Sequence, residues 1–461
     1  MDTKTITIIG SGPVGALTGL YFAQRGYQVE IFEKRPDMRK TTISAGRSIN
    51  LALANRGINP LTEVGVMDRV EAMLIPMTGR MVHDLEGNTN YQAYGQKEHE
   101  VIHSVSRGDL NKLLMEEAES TGQVNIHFEQ AIENIDFTTK ILTFKHQQTD
   151  ELTEHNYDIL IGADGSGSVV RKAIHKRLQS PEFSINGSFN RFDQLGHSYK
   201  ELCIPPGNNG SYQIEKNALH IWPRGEYMLI ALPNLDGSFT VTLFLPNEGE
   251  NSFAELTDHD KVTAFFKEQF NNALELIPNL ADEFFANPTG HLATVRCDPW
   301  VHNNNTLLIG DAAHGIVPFH GQGMNCGFED ASVLNKILDQ FADNDQDNWD
   351  QVFSEYERMR QPNGNAIADL ALDNYIEMRA SVREPNYILK KELAFKLEQR
   401  YPDNFIPRYS MVMFHLLPYA EAQRRGEIQN DILDELTKNL SSVDDVDMEK
   451  ADELIKRHLM D

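Results

Sequence analysis

The stretch TITIIGSGPVGALTGLYFAQRGYQVEIFEK, residues 5–34, decides the fold of this chain. Its apolar start, Ile6 to Ile9, predicts a short strand, and a glycine-rich turn follows at once. A helix is then predicted to Gln24, followed by a second strand that ends at Glu33. This order of strand, tight turn, helix and strand is the βαβ unit of a dinucleotide-binding domain.

Each part of this unit has a chemical purpose. Gly10 permits the tight turn, Gly12 lets backbone approach a pyrophosphate, and Gly15 lets helix and strand pack closely. The helix amino terminus favours the negative phosphates. Glu33 is placed to bind a ribose diol, which favours FAD or NAD over NADP. We therefore predict that a dinucleotide binds here; the alternative is a glycine-rich turn without a ligand.

Two later segments also end a strand in a glycine-rich turn. They are YDILIGADGSGSVVRKAI, residues 157–174, and TLLIGDAAHGIVPFHGQGMN, residues 306–325. Three such turns are more than one NAD needs, and they suit the longer FAD. At Gly321 and Gly323 bare backbone can lie flush against a flat ring, and the helix that follows offers free N–H groups.

The three motifs, in this order, resemble those of the class A flavoprotein aromatic hydroxylases. The resemblance implies an α/β fold in which a Rossmann-type FAD-binding domain is interleaved with an antiparallel β-sheet substrate domain, with a C-terminal helical region after them. It also implies tightly but non-covalently bound FAD, NADPH as a transient co-substrate, and O2 that forms a hydroperoxide at flavin C4a. The cofactor-binding residues, from motif and resemblance together, are Gly10, Gly12, Gly15, Glu33, Arg107, Asp164, Asp311, Gly321, Gly323, Met324 and Asn325.

The rest of the chain divides by its periodicity. Alternating apolar runs in residues 217–246 predict an antiparallel sheet. After residue 346 the period is helical, interrupted by three prolines. We predict a discontinuous FAD-binding domain that includes part of the substrate pocket near residues 75–100, then a β-sheet substrate domain and a C-terminal helical domain. Their predicted bounds are 1–180 with 290–345, 181–289, and 346–461.

Other short stretches, such as GRMVH (79–83), LDNYIEM (372–378) and IPRYSMV (406–412), resemble one branch of this family that acts on an aromatic amino acid. The resemblance implies that an arginine pairs with the substrate carboxylate. The substrate-binding residues that it implies are Arg80, Tyr94, Asn374, Glu377, Met378 and Tyr409. At the reacting centre it implies Pro318, Phe319 and His320, with a positioning role for the histidine.

Several of these residues also have a structural interpretation. From the residues alone, we would expect Arg80 to lie at the surface and Glu377 to be a solvated residue of a helix. Tyr94 and Tyr409 are half-buried packing residues with satisfied hydroxyls. Only the resemblance favours the functional interpretation.

Composition excludes some classes of function. The chain has 68 acidic against 42 basic residues, so nucleic acid is not an expected partner. Its three cysteines are far apart and form no CxxC pair, which argues against disulfides and a metal site. The chain opens with a strand and has no apolar run of 18 residues, so a cytoplasmic protein without a membrane segment is expected. Its expected partners are the aromatic amino acid, NADPH and O2.

Three other functions remain open. A hydroxylase for another aromatic acid would keep the FAD motifs without needing the arginine and tyrosine set. A flavin halogenase would carry a WxWxIP signature, and the three tryptophans stand apart. A non-catalytic flavoprotein would bind FAD but consume no NADPH in response to substrate.

Overall fold

The computed structural model describes residues 5–40, 50–180, 187–343 and 346–460. Its strands are β1 Thr5–Ile9, β2 Gln28–Phe32, β3 Asn50–Leu53, β4 Ile75–Met77, β5 Gly79–His83, β6 Thr89–Ala93, β7 Ile102–Ser106, β8 Val124–His127, β9 Gln130–Asp136, β10 Ile141–His146, β11 Leu152–Asn156, β12 Ile159–Gly162, β13 Phe189–Ile204, β14 Ala218–Pro223, β15 Met228–Pro233, β16 Phe239–Pro246, β17 Thr289–Asp298, β18 Val301–His302, β19 Thr306–Leu308, β20 Ala342–Asp343 and β21 Gln346–Asp347. Its α-helices are α1 Pro13–Gln24, α2 Asn55–Glu63, α3 Met67–Glu71, α4 Arg107–Ser120, α5 Val169–Leu178, α6 His259–Gln269, α7 Asn271–Leu274, α8 Leu280–Ala286, α9 Asp311–His314, α10 Gly323–Phe341, α11 Trp349–Arg379, α12 Pro385–Arg400, α13 Arg408–Met413, α14 Tyr419–Thr437 and α15 Met448–Leu459.

The chain folds into two compact units, each assembled from three segments. The first unit comprises Met1–Leu74, Val105–Leu195 and Ala293–Ala368. The second comprises Ile75–Ser104, Gly196–Leu292 and Asp369–Asp461.

A six-stranded sheet in the order β18-β19-β12-β1-β2-β8 forms the centre of the first unit. All its neighbouring strands are parallel except β18 and β19. The predicted βαβ unit is confirmed as β1, α1 and β2, because β1 pairs in parallel with β2 from Thr5 opposite Gln28 to Ile9 opposite Phe32. The strands β1, β12 and β19 are almost wholly buried, as continuous apolar runs in a parallel sheet should be.

A seven-stranded sheet in the order β17-β13-β16-β15-β14-β5-β6 forms the second unit. The strands β13, β16, β15 and β14 pair antiparallel, as the alternating pattern predicts. The pairing of β14 with β5 is parallel, with Leu219 opposite Arg80. This pairing positions Arg80 beside a strand that is 139 residues away in sequence.

The predicted C-terminal helical region is confirmed. Pro385 begins α12 and Pro402 follows its end, as helix-breaking prolines should. Pro362 does not interrupt the helix but lies inside α11. The acidic tail includes α15, whose Leu454 and Ile455 pack in a buried cluster with residues of α12 and α14.

Several boundaries of the structure differ from those predicted. Residues 75–104 belong to the second unit, because β5 is hydrogen-bonded to β14 in its sheet. The helical region does not stand as a separate unit either. The long α11 begins in the first unit, and from Asp369 the chain belongs to the second. No helix in the described part of the chain is long and apolar enough to cross a membrane.

Candidate cofactor and substrate sites

The glycines of the first motif have different neighbours. A Cβ on Gly10, where φ is +100°, would lie 2.6 Å from Ala163 O, and one on Gly15 would lie 2.0 Å from Gly10 O. A Cβ on Gly12 would meet no atom within 4 Å. Gly10 and Gly15 are therefore required by the packing of the protein itself. Gly12 borders open space at the start of α1, whose amino terminus has no side-chain cap. A pyrophosphate fits this position.

Glu33 follows β2 directly, and its carboxylate is held in place. Its Oε2 accepts a hydrogen bond from Ser11 N at 3.0 Å, and its Oε1 accepts from Arg35 Nε at 2.8 Å. Burial would raise the pKa of Glu33, but the hydrogen bonds and charge of Arg35 lower it overall. The carboxylate is therefore ionised, and a ribose hydroxyl would share its oxygens with these donors.

Asp164 lies at the second motif, after β12. Its Oδ2 accepts hydrogen bonds from Val169 N at 2.6 Å and Val170 N at 3.3 Å at the start of α5. Its Oδ1 is buried and accepts no hydrogen bond from the residues that the structure describes. Burial raises the pKa of Asp164. Because a buried oxygen without a partner is costly, this atom fits a donor on a ligand.

The third motif brings a carboxylate to the amino terminus of α10. Asp311 begins α9 and is exposed, and a Cβ on Gly323 would lie 3.8 Å from its Oδ1. Gly321 adopts a left-handed conformation with φ of +64° just before α10. A 19-residue helix leaves its first N–H groups free. A hydrogen-bond acceptor, the Asp311 carboxylate, therefore lies close to hydrogen-bond donors, the N–H groups of α10. The polar edge of a flavin and its ribityl chain require both kinds of group.

Asn325 and Pro318 have internal partners. The Nδ2 of Asn325 donates to Ala52 O at 2.8 Å and Gly321 O at 2.7 Å, and its Oδ1 accepts from Ala54 N at 2.9 Å. The Asn325 side chain therefore anchors this turn, and both protons of its Nδ2 are used within the protein. The carbonyl of Pro318 accepts from Gly321 N at 2.9 Å, which leaves one lone pair for another donor.

The other predicted residues of the first unit occupy varied positions. Phe319 and His320 are buried in the 3-10 turn Pro318–His320, while Pro318 itself is exposed. Met324 is half-buried in the first turn of α10, and Arg107 is exposed at the start of α4.

A buried ion-pair network lies behind the third motif, and the sequence did not predict it. Asp330 Oδ2 accepts from Gly310 N at 3.0 Å and from His314 Nε2 at 2.5 Å, while its Oδ1 accepts from Arg360 Nε at 2.7 Å. Burial would raise the pKa of Asp330, but His314 and Arg360 lower it to about 2. Burial would lower the pKa of His314, and Asp330 raises it well above the usual value.

The same network contains a group of three possible metal ligands. One ligand atom each of His314, Cys326 and Asp330 lies within 4.8 Å of the others. Both Asp330 oxygens already accept hydrogen bonds, and a protonated His314 has no lone pair for a metal. The group is therefore an internal ion-pair network that fixes the backbone at Gly310.

Arg80 is the centre of a buried cluster in the second unit. Its guanidinium carbon lies 5.6 Å from the ring centroid of Tyr94 and 5.1 Å from that of Tyr409. The two rings are stacked on each other with centroids 5.1 Å apart. Arg80 is only 3% exposed, which excludes the surface arginine considered above. Its Nε is buried and has no hydrogen-bond partner among the described residues.

One internal carboxylate neutralises Arg80. Glu377 Oε1 accepts from Arg80 Nη1 at 2.8 Å and from Tyr387 Oη at 2.7 Å. Burial would raise the pKa of Glu377, but Arg80 lowers it to about 2. Burial would lower the pKa of Arg80, but Glu377 raises it above its usual range. Glu377 is thus an ion-pair partner, not a solvated helix residue.

The helix α11 presents further candidates on the same face as Glu377. Asn374 is three residues before Glu377 and four before Met378, which is helical spacing. Both Asn374 and Met378 are buried, and Asn374 Nδ2 contacts Met378 Sδ at 3.3 Å. All six predicted substrate residues belong to the second unit. Contacts join Arg80 with Tyr94, Tyr409 and Glu377, and Tyr387 with Glu377, while Asn374 contacts Met378.

Comparison with known proteins gives one family and close relatives. A family model described as FAD binding domain matches residues 2–371. Kynurenine 3-monooxygenase of Myxococcus xanthus is 46% identical over 455 residues, which cover 99% of this chain and 95% of the relative. Kynurenine 3-monooxygenase of Flavobacterium johnsoniae is 45% identical over 433 residues, 94% of each chain.

Solved structures share the fold at low identity. One is the tetrameric form of 2-methyl-3-hydroxypyridine-5-carboxylic acid oxygenase, with a TM-score of 0.65 and 18% identity over 86% of this chain and 98% of that structure. Another is PqsL of Pseudomonas aeruginosa in complex with 2-aminobenzoylacetate, with a TM-score of 0.65 and 16% identity over 82% and 97%. Both likenesses show the fold alone.

Proposed function

Because the chain belongs to the kynurenine 3-monooxygenase family of FAD-binding proteins, we propose that it hydroxylates L-kynurenine to 3-hydroxy-L-kynurenine with NADPH and O2. One oxygen atom of O2 enters the ring and the other leaves as water. The observation that carries the proposal is the buried Arg80, whose Nε donor has no partner among the described residues. A buried, unused guanidinium donor suits the carboxylate of an amino acid.

The first unit would hold FAD. FAD, when bound, would be reduced by NADPH and would then activate O2. We propose that the open space at Gly12 and the start of α1 accommodates the pyrophosphate, and that Glu33 accepts from the ribose. Asp164 Oδ1, Asp311 and the first N–H groups of α10 provide the remaining acceptors and donors, with Arg107 as a further positive charge. The half-buried Gly321 and Gly323 would allow backbone to approach a flat ring.

The second unit would hold the amino-acid end of the substrate. Arg80 pairs with the carboxylate, and the stacked rings of Tyr94 and Tyr409 fix the guanidinium plane. We expect Asn374 and Met378, which contact each other on α11, to contact the substrate near Glu377. Since Glu377 already neutralises Arg80, the arginine can remain buried before substrate arrives.

Phe319 and His320 would flank the aromatic ring and exclude water from it. L-Kynurenine carries a ring amino group that donates electrons to the neighbouring carbon. A general base is therefore not required, and His320 has a positioning role. We expect the remaining lone pair of the Pro318 carbonyl, which already accepts from Gly321 N, to face the reacting centre.

The test is NADPH consumption by the purified FAD-loaded protein with and without L-kynurenine. Chromatography for 3-hydroxykynurenine and an assay for peroxide accompany it. The proposal requires acceleration with a matching amount of hydroxylated product. Acceleration with peroxide but no product would mean that L-kynurenine mimics another aromatic substrate. FAD binding without acceleration would leave a non-catalytic flavoprotein.

We also propose a cytoplasmic location. It is supported by the bacterial sources of the relatives and by the finding that no described helix could span a membrane.

A further inference from the structure

The loop that follows Tyr94 closes around a buried carboxylate. Glu100 Oε2 accepts hydrogen bonds from Gln96 N at 2.8 Å and Lys97 N at 3.1 Å, and Glu100 N donates to Lys97 O at 3.0 Å. The Glu100 side chain is fully buried. A Cβ on Gly95 would lie 2.2 Å from Glu100 Oε2, so this close approach requires glycine. The backbone that directly follows Tyr94 is therefore held in one conformation.

The same loop is fastened to α12 through one glutamate. Glu398 Oε2 accepts from Gln96 Nε2 at 2.7 Å, and Glu398 Oε1 accepts from Lys97 Nζ at 3.2 Å. Gln96 Nε2 also donates to Phe395 O at 3.0 Å, on the preceding turn of the helix. Glu398 is only 3% exposed, although Gln96 and Lys97 are exposed. Both oxygens of a buried carboxylate on α12 therefore bind the side chains two and three residues after Tyr94.

Lys97 compensates the charge of both acids. Its Nζ lies 3.4 Å from Glu100 Oε1 and 3.2 Å from Glu398 Oε1. Burial would lower the pKa of Lys97, but the two carboxylates raise it, so the lysine is charged. A buried carboxylate is costly without such a partner. Loss of any of these three side chains should therefore weaken the attachment of the loop to α12.

The face of α12 that carries Glu398 also carries Tyr387. The two residues are 11 positions apart, about three helical turns, so they share one face. Tyr387 Oη donates to Glu377 Oε1 at 2.7 Å, and that oxygen also accepts from Arg80 Nη1. The ring of Tyr94 lies 5.6 Å from the guanidinium carbon of Arg80. One face of α12 therefore contacts both the carboxylate that neutralises Arg80 and the loop that carries Tyr94.

We propose that Glu398 is a positioning residue for the substrate: it fastens the loop 94–100 to α12 and thereby holds Tyr94 stacked on Tyr409 beside Arg80. The stacked rings restrict the guanidinium to the orientation in which it meets a carboxylate. Glu398 acts through Tyr94 and not on the substrate itself. This inference rests on the proposed function, because L-kynurenine supplies the carboxylate.

The test is steady-state kinetics of the FAD-loaded protein with L-kynurenine. Glu398→Ala should raise KM about three- to tenfold, as expected when one polar contact is misplaced, and should leave kcat within about a factor of two. Gln96→Ala removes the other end of the attachment at an exposed position, so the core should remain intact, and KM should rise in the same way. Glu392→Ala is the matched control, since Glu392 is an exposed glutamate of the same helix and its loss should leave KM unchanged.

A double-mutant cycle separates positioning from general loosening of the fold. Tyr94→Ala should raise KM by itself, and Glu398→Ala should add nothing in that background, because its effect passes through Tyr94. Additive effects of the two substitutions on KM would overturn the proposal. So would an unchanged KM in both Glu398→Ala and Gln96→Ala, or a fall in kcat at unchanged KM. Absence of turnover in the wild-type protein would instead refute the proposed function.

Discussion

Asp330 Oδ2 lies 2.5 Å from His314 Nε2, and this buried ion pair also holds the backbone N–H of Gly310 at 3.0 Å. Gly310 has φ of +61°, a conformation that only glycine adopts without strain, and it directly precedes Asp311. The ion pair therefore fixes the turn that presents Asp311 at the amino terminus of α10. The structure couples a buried charge network to one carboxylate of the proposed FAD site.

Asp330→Asn should weaken both the fold and the proposed FAD site. It leaves the buried positive charges of His314 and Arg360 with one counter-charge fewer, which costs about 3–5 kcal/mol in the free energy of unfolding. Urea unfolding and fluorimetric titration of FAD into deflavinated protein measure the two effects. Asp339→Asn on the same helix is the control, since Asp339 is 67% exposed and its loss should cost less than about 1 kcal/mol. Equal stability of the two variants would contradict the role of Asp330.

The elements that the sequence predicted are those that local pattern specifies. The β1–α1–β2 unit, the sheet strands β14–β16 and the C-terminal helices follow from periodicity within a few tens of residues. The prediction of a helix break at Pro362 was wrong, because α11 continues through this proline. Buried Phe353 and Tyr356 before it and Ile367 after it pack this helix on both sides of the proline.

The long-range partners could not be predicted in the same way. The strand β5 belongs to the second unit because of its pairing with β14, and no local signal announces such a pairing. The burial of Arg80 depends on Glu377, 297 residues later. The partner Tyr387 carries no motif at all, since its importance follows only from the hydrogen bond that it donates from α12 to Glu377. The resemblance implied Arg80 and Glu377, and the structure shows that the carboxylate of the half-buried Glu377 compensates the charge of the buried Arg80.

Gly12→Ala and Gly15→Ala should fail for different reasons. A Cβ at position 15 would lie 2.0 Å from Gly10 O, so Gly15→Ala should shift α1 against β1 and lower the melting temperature of the protein without cofactor. A Cβ at position 12 meets no protein atom within 4 Å. Gly12→Ala should therefore retain the melting temperature of the deflavinated protein and lose affinity for FAD at least tenfold. Unchanged FAD affinity in Gly12→Ala would remove the pyrophosphate from this position.

The free energy of unfolding should fall as the pH drops below about 6.5, partly because of His83. This side chain is buried beside His220, with 2.9 Å between His83 Nε2 and His220 Nδ1, and stacks on Trp222. Burial and the charge of His220 lower the pKa of His83 to about 3. Below the unfolded pKa of about 6.5 the unfolded chain binds a proton that the folded chain does not, so stability is lost between pH 6.5 and about 3. The slope is at most about 1.4 kcal/mol per pH unit for this group.

Urea unfolding of wild type and His83→Gln at pH 7, 6 and 5 measures this effect. The variant should lose stability less steeply with acid than the wild type does. His259→Gln, which changes a histidine that is 60% exposed, should keep the wild-type slope. If the free energy of unfolding depended equally steeply on pH in wild type and His83→Gln, His83 would be protonated in the folded chain as readily as in the unfolded one.

Arg80→Met should abolish the response to L-kynurenine while the protein remains loaded with FAD. It removes the donor for the substrate carboxylate, and loss of a buried charge-assisted pair costs about 2 kcal/mol or more, which is at least about 30-fold in KM. The same substitution leaves Glu377 without its positive partner, so that destabilisation alone could lower activity. The double variant Arg80→Met with Glu377→Gln removes both charges and tests this. It should recover the melting temperature but not the KM for L-kynurenine. Recovery of both would mean that Arg80 only balances Glu377 and does not bind the substrate.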